Sequence, residues 1–97
     1  MATYISLIHY TDQGIRSIKD SPKRLDAGKR LLKELGGELK QLFLTMGPYD
    51  VMIVLEAPSD DVVAKFALAL GAQGNVRTTH LRAFSEAEYR KIVAGLP

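Results

Sequence analysis

Cysteine and tryptophan are both absent from this 97-residue chain. The first absence excludes disulfides, Fe–S clusters, thiolate zinc sites and a cysteine nucleophile. It also fits a reducing compartment. Long apolar runs are missing too. None approaches the ~20 residues that cross a bilayer. The opening "MATYISLIHYTDQG" has neither the basic start nor the apolar stretch of a signal peptide. The expected location is therefore cytoplasmic, with no membrane partner. A charge excess of one sign is lacking as well. Thirteen Lys and Arg against eleven Asp and Glu leave a net charge of +2. Residues 1–40 hold eight of the basic residues but also five acids. The basic residues are interleaved with those acids and no aromatic stacking pattern accompanies them. This reads as a solvated helix face, with no nucleic-acid partner. No phosphate loop, dinucleotide fingerprint or nucleophile elbow is present. "GAQGNV" has two glycines but leads into a strand, so it stops a helix rather than cradling a phosphate. No cofactor is expected.

The residues that are present point to one folded domain spanning 1–97. Hydrophobic residues are 46% and charged residues 25% of the chain, which suits a globular protein. A chain of this size buries roughly 65% of its unfolded surface, so its core is modest and oligomerisation would help it. "TYISLIHY", residues 3–10, is β-rich and apolar on both parities, as in a central strand. Thr11 or Asp12 can cap a short helical segment. Ser21-Pro22 restarts the helix, with Ser as N-cap and Pro at the first helical position. Leu25, Gly28, Leu32 and Leu35 keep helical spacing, and Gly36-Gly37 stops it. Strands are expected over 38–46 and 50–57, around Gly47-Pro48-Tyr49-Asp50. Ser59 caps a second helix carrying Val63, Phe66, Ala67 and Leu70. A fourth strand covers 75–84. Ser85 and Glu88 then form a capping box ahead of a last helix.

The order βαββαβ with right-handed crossovers gives an α+β, ferredoxin-like fold. Its antiparallel sheet has order 4-1-3-2, with the two main helices on one face and a C-terminal helix added. The strands are apolar on both parities, as Val51/Ile53/Leu55 and Met52/Val54 show. A sheet with one wet face should alternate. The second face needs a cover larger than one final helix. The expected cover is a partner sheet, in a homodimer or higher homo-oligomer.

"TMGPYDVMIVLEAP", "AKFALALGAQGNVRTTHLRAF", "EYRKIVAGLP" and the early "TDQGIRSIKDSP" together resemble the GYD domain family. Gly47, Tyr49 and Asp50 match the residues that name it. The resemblance covers nearly the whole chain. It implies a ferredoxin-like fold of the dimeric α+β barrel kind and small bacterial or archaeal proteins. It implies no activity, and no catalytic residue is carried over. His80 stands where the family pattern favours threonine. Similar folds serve as cofactor-free monooxygenases, isomerases, haem enzymes and ligand-sensing regulator modules.

Two candidate sites follow from topology. The end of strand 1, the 2-3 turn and the start of strand 4 share one sheet end. This places His9, Tyr10 and Asp12 near Tyr49, Asp50, Asn75 and Arg77. Alternatively, pairing Ser6 with His80 puts Tyr4, Ser6, Thr78, His80 and Arg82 on one surface. If that surface is the open sheet face, a partner sheet would close it into a small-ligand pocket. Tyr49, Asp50 and His80 are candidate catalytic groups for proton transfer. Each also has a plainer role: Asp50 on turn amides, Tyr49 at the sheet edge, the histidines as satisfied strand residues. No metal is expected, because His80 should lie about 13 Å down the strand from the sheet end. The function expected is a homo-oligomeric small-molecule-binding protein. The alternatives are a cofactor-independent oxygenase or isomerase, and an assembly subunit without ligand.

Overall fold

A computed structural model describes residues 1–97. The elements are β1 (Ala2–Tyr10), α1 (Asp12–Arg16), a 3-10 turn (Ile18–Asp20), α2 (Ser21–Glu34), β2 (Glu38–Leu44), β3 (Val51–Ala57), α3 (Asp60–Ala72), β4 (Val76–Ala83) and α4 (Glu86–Ala94). The sheet order is β2-β3-β1-β4, with every neighbouring pair antiparallel. This is the expected ferredoxin-like order read from the other edge.

The helix starts follow the sequence closely. The Thr11 hydroxyl accepts from the Gly14 amide at 3.1 Å and caps α1. Ser85 and Glu88 form the full capping box of α4. Two details differ. Asp20, not Ser21, holds the N-cap position of α2, and Ser59 caps α3 without a side-chain hydrogen bond. The 3-10 turn carries the chain directly into α2, so Ser21 is already helical. Both hairpin strands fall short of the expected turn, since β2 ends at Leu44 and β3 begins at Val51.

Strand register decides which side chains meet the helices. β3 alternates strictly, with Val51, Ile53, Leu55 and Ala57 buried. β1 places Tyr4, Ser6 and Ile8 opposite Leu55, Ile53 and Val51, on that same face. In β2 the register shifts between Leu39 and Gln41. The extra residue flips the alternation, as a β-bulge does. Leu39, Leu42 and Leu44 therefore all oppose β3 residues of the buried set. Leu32 of α2 and Val63 and Phe66 of α3 complete the core from above.

The opposite face of the sheet has no cover. Ile5, Leu7, Phe43, Met52, Val54 and Leu81 share it by register. Phe43 is 46% exposed and Leu81 45%. The last helix does not supply that cover. All nine residues of α4 are exposed, Tyr89, Ile92 and Val93 among them. The helix is tied back by Arg82, whose guanidinium lies 3.9 Å from Glu88. A nine-residue helix gains little stability from its own hydrogen bonds, so packing normally holds such a helix in place.

Candidate functional site

The sheet end is built as the topology implies, but its polar groups hold the chain together. Asp50 donates its amide to the Ile8 carbonyl at 2.9 Å and accepts from the Thr45 amide at 2.8 Å. Its carboxylate accepts from the Tyr10 amide at 2.9 Å. Asp50 thus closes β1 onto the β2–β3 turn. Gly47 sits in that turn at φ +118°, a conformation that favours glycine. The Tyr49 carbonyl accepts from the Thr45 hydroxyl at 2.6 Å, and its ring lies 4.8 Å from the His9 ring. Asn75 accepts from Thr11 through its carbonyl and from Gln13 through its side chain. Gly14 meets this strand start so closely that an added Cβ would lie 2.0 Å from the Asn75 carbonyl oxygen. Asp12 is the first residue of α1, and Arg77 pairs with His9 across β1–β4.

The second set has the register expected but the other face. Tyr4 pairs with Arg82, Ser6 with His80 and Ile8 with Thr78. These side chains lie on the helix side, not on the open face. The physical reason is local. β4 is an edge strand and α3 covers it only in part, so polar groups fit there without a partner sheet. They also satisfy one another. The Ser6 hydroxyl and the His80 Nδ1 are 2.5 Å apart, and His80 Nε2 lies 2.9 Å from the Thr78 hydroxyl. Tyr4 donates its hydroxyl to Asp60. No buried side-chain polar atom is left without a partner.

Electrostatics follow from this packing. Burial holds the His80 imidazole below its ordinary value, which favours the neutral ring. The hydrogen bond to Asp60 raises the Tyr4 phenol, with burial and the Asp60 charge adding to it and Arg82 opposing it. The Arg82 guanidinium stacks 4.5 Å from the Phe84 ring centre and 5.7 Å from that of Tyr4. Tyr4, Asp60, His80 and Arg82 border a shallow cleft of about 330 Å³.

A different cavity was not anticipated from the sequence. About 230 Å³ lies between α2, α3 and the β2–β3 half of the sheet. Its walls include Leu25, Gly28, Leu42, Ile53, Phe66 and Leu70. Tyr10 and Asn75, from the sheet-end set, also reach it. Tyr49 and Asp50 line neither this cavity nor the cleft. The available signal was Gly28, a glycine on the apolar stripe of a helix. No cluster of histidine and carboxylate side chains could hold a metal ion.

A family model described as the GYD domain matches residues 4–93. A Thermus thermophilus protein named "Glutamine synthetase and cystathionine beta-lyase binding protein" is 32% identical over 89 residues. The match covers 91% of this chain and 94% of that protein. The crystal structure of TTHA0845, also from Thermus thermophilus, superposes with a TM-score of 0.50 at 27% identity, covering 88% of this chain and 95% of that one.

Proposed function

The chain belongs to the GYD domain family, and from that premise we propose that it works by binding, as a sheet-to-sheet homodimer that holds another protein. The observation that carries this reading is the uncovered apolar sheet face. Four strands at about 4.8 Å spacing and some seven residues of length give this face roughly 400 Å², with Thr3, His9, Glu56, Arg77 and Thr79 around an apolar middle. Contiguous apolar surface rimmed by polar residues often marks an interaction site. Ile5, Leu7, Met52 and Val54 form its centre, with Phe43 and Leu81 beside them. Glu38, Lys40 and Glu56 form an ion-paired rim at the β2–β3 edge. An apolar centre with a polar rim is the ordinary make-up of a protein interface. Two-fold pairing presents the same patch from both copies.

The relative's name supplies the kind of partner to try. Glutamine synthetase and cystathionine beta-lyase are what that protein is named for binding. A cytoplasmic enzyme of this type is the client we propose here. The sheet-end residues support a binding role over proton transfer. The Asp50 carboxylate is engaged by the Tyr10 amide and the Tyr49 ring by His9.

Native mass spectrometry tests the dimer, and Val54→Asp places a charge at its centre. The unaltered chain is expected to be dimeric or larger, and the variant to be monomeric at the same concentration. Biolayer interferometry against the cognate glutamine synthetase and cystathionine beta-lyase tests the client. A monomeric wild-type protein at tens of micromolar would remove the sheet-face reading. No response to either enzyme would remove the client.

A further inference from the structure

The cavity beneath α2 opens toward β2, where Leu42 and Leu44 are 39% and 77% exposed, so it is a cleft that a ligand can enter. An apolar cavity of about 150 Å³ already admits benzene. This one holds about 230 Å³. Gly28 forms part of its wall, buried in the middle of α2. A Cβ added there would meet only Leu70 Cδ2, at 3.9 Å, an ordinary contact. Its φ is not in the left-handed region. Neither backbone nor packing therefore calls for glycine. Yet glycine is clearly disfavoured against alanine in a helix interior. A residue that breaks a local preference with no structural return marks a functional constraint. Here the constraint is the space itself.

The polar lining gathers at one end. Arg24 donates to the Ser17 carbonyl at 2.9 Å and to the Gly14 carbonyl at 3.2 Å. Gly14 in turn packs against Asn75. Arg24 and Asn75 therefore stand together, with Tyr10 and Gln73 also in the lining. Arg24 is half-buried and held in place, and no carboxylate of the chain pairs with it. A fixed guanidinium without an anion, at the end of an apolar cavity, is complementary to a carboxylate with a hydrocarbon tail.

We propose that this cavity binds a small monocarboxylic acid with an apolar body of about six to ten carbon atoms. The carboxylate meets Arg24, and the body lies against Leu42, Ile53, Phe66 and Leu70. The site lies on the helix side of the sheet and does not depend on the dimer face.

The test compares 4-phenylbutyrate with 4-phenylbutan-1-ol, which keeps the carbon frame and drops the charge. Each is titrated into the full chain near neutral pH. Binding is read by calorimetry and by methyl shifts of Leu25, Leu42, Val51 and Leu70. The acid is expected to bind one per chain with a sub-millimolar Kd, and at least tenfold more tightly than the alcohol. Arg24→Gln should erase that difference. Gly28→Leu should abolish both interactions while the circular dichroism spectrum stays native. If Arg24→Gln fails to fold, the acid–alcohol comparison on the unaltered chain decides alone. Equal affinity for acid and alcohol, or no binding of either, overturns the proposal. So do shifts confined to Ile5, Leu7 and Val54 of the open face, or full binding in folded Gly28→Leu. None of these results bears on the oligomeric state, so the two proposals fail separately.

Discussion

Replacing Gly28 by alanine should make this protein more stable. The helix-interior preference for alanine contributes about 1 kcal/mol. The added methyl enters the cavity and touches Leu70 on one side only, at 3.9 Å. A fully buried methylene is worth about 0.8 kcal/mol, so a one-sided contact adds about half of that. The sum is about 1.4 kcal/mol. For a chain of this length each kcal/mol moves Tm by about 4–8 °C, which gives a rise of about 6–11 °C. Urea titration and thermal melts at one fixed protein concentration measure it, since self-association would otherwise shift the midpoint. The urea m-value should not change, because the surface exposed on unfolding is almost the same. A loss of even about 0.5 kcal/mol would refute the reasoning. It would mean that the space beside Gly28 is already filled by its neighbours, and that glycine is there for packing.

Three further outcomes follow from the same contacts. Gly14→Ala should cost about 3 kcal/mol or more, because the Asn75 carbonyl 2.0 Å from the new Cβ belongs to backbone that must move; a neutral result in urea would show that α1 is not docked there. Asp50→Ala should cost about 1–3 kcal/mol by stranding the Tyr10 amide, while Asp50→Asn, which can still accept that bond, should cost clearly less; equal losses would contradict the assignment. The His80 imidazole titrates lower in the folded chain than its ordinary value near 6.5, because burial disfavours its charged form. Below that pH the unfolded chain binds more protons, so stability should fall as pH drops through about 6.5 and level off above about 7. His80→Gln should flatten that slope between about pH 7 and 5, and an unchanged slope would assign it to other groups.

The strand order was legible because turn residues, caps and apolar spacing all pointed one way. Gly36-Gly37, the Gly47 turn and the Ser85–Glu88 box each sit where the chain changes direction or element. The β1–β4 pairing was legible too, yet the face of Ser6 and His80 was not. In β1 both parities are apolar, so hydropathy alone cannot orient it. The choice is made one strand away, where Val51, Ile53, Leu55 and Ala57 outweigh Met52, Val54 and Glu56. Pairing Tyr4 with Leu55 then commits β1. Polar residues suggested an open face only because one of their partners was unseen. The unseen one is Asp60, in the first turn of α3, which takes the Tyr4 hydroxyl.

The same limit explains the cavity. Periodicity marks which helix positions face inward, and Gly28 lies on that stripe. It says nothing of the volume between a helix and a bulged strand. The register shift near Lys40 turns both Leu42 and Leu44 toward α2. They remain 39% and 77% exposed, so α2 does not close over β2. A strand without the bulge would place Phe43 on the helix side in place of these leucines, by simple alternation. The cavity thus rests on a missing Cβ in α2 and on a β2 register that turns Leu42 and Leu44 toward it. Deleting Lys40 removes the extra residue but leaves Gln41 to Leu44 opposite their present partners, so Leu42 and Leu44 should stay on the helix side, Phe43 on the open face, and 4-phenylbutyrate binding should persist in a chain that still folds. Lost binding in that variant, with a native circular dichroism spectrum, would show that the site needs the bulge itself and not only the leucines beyond it.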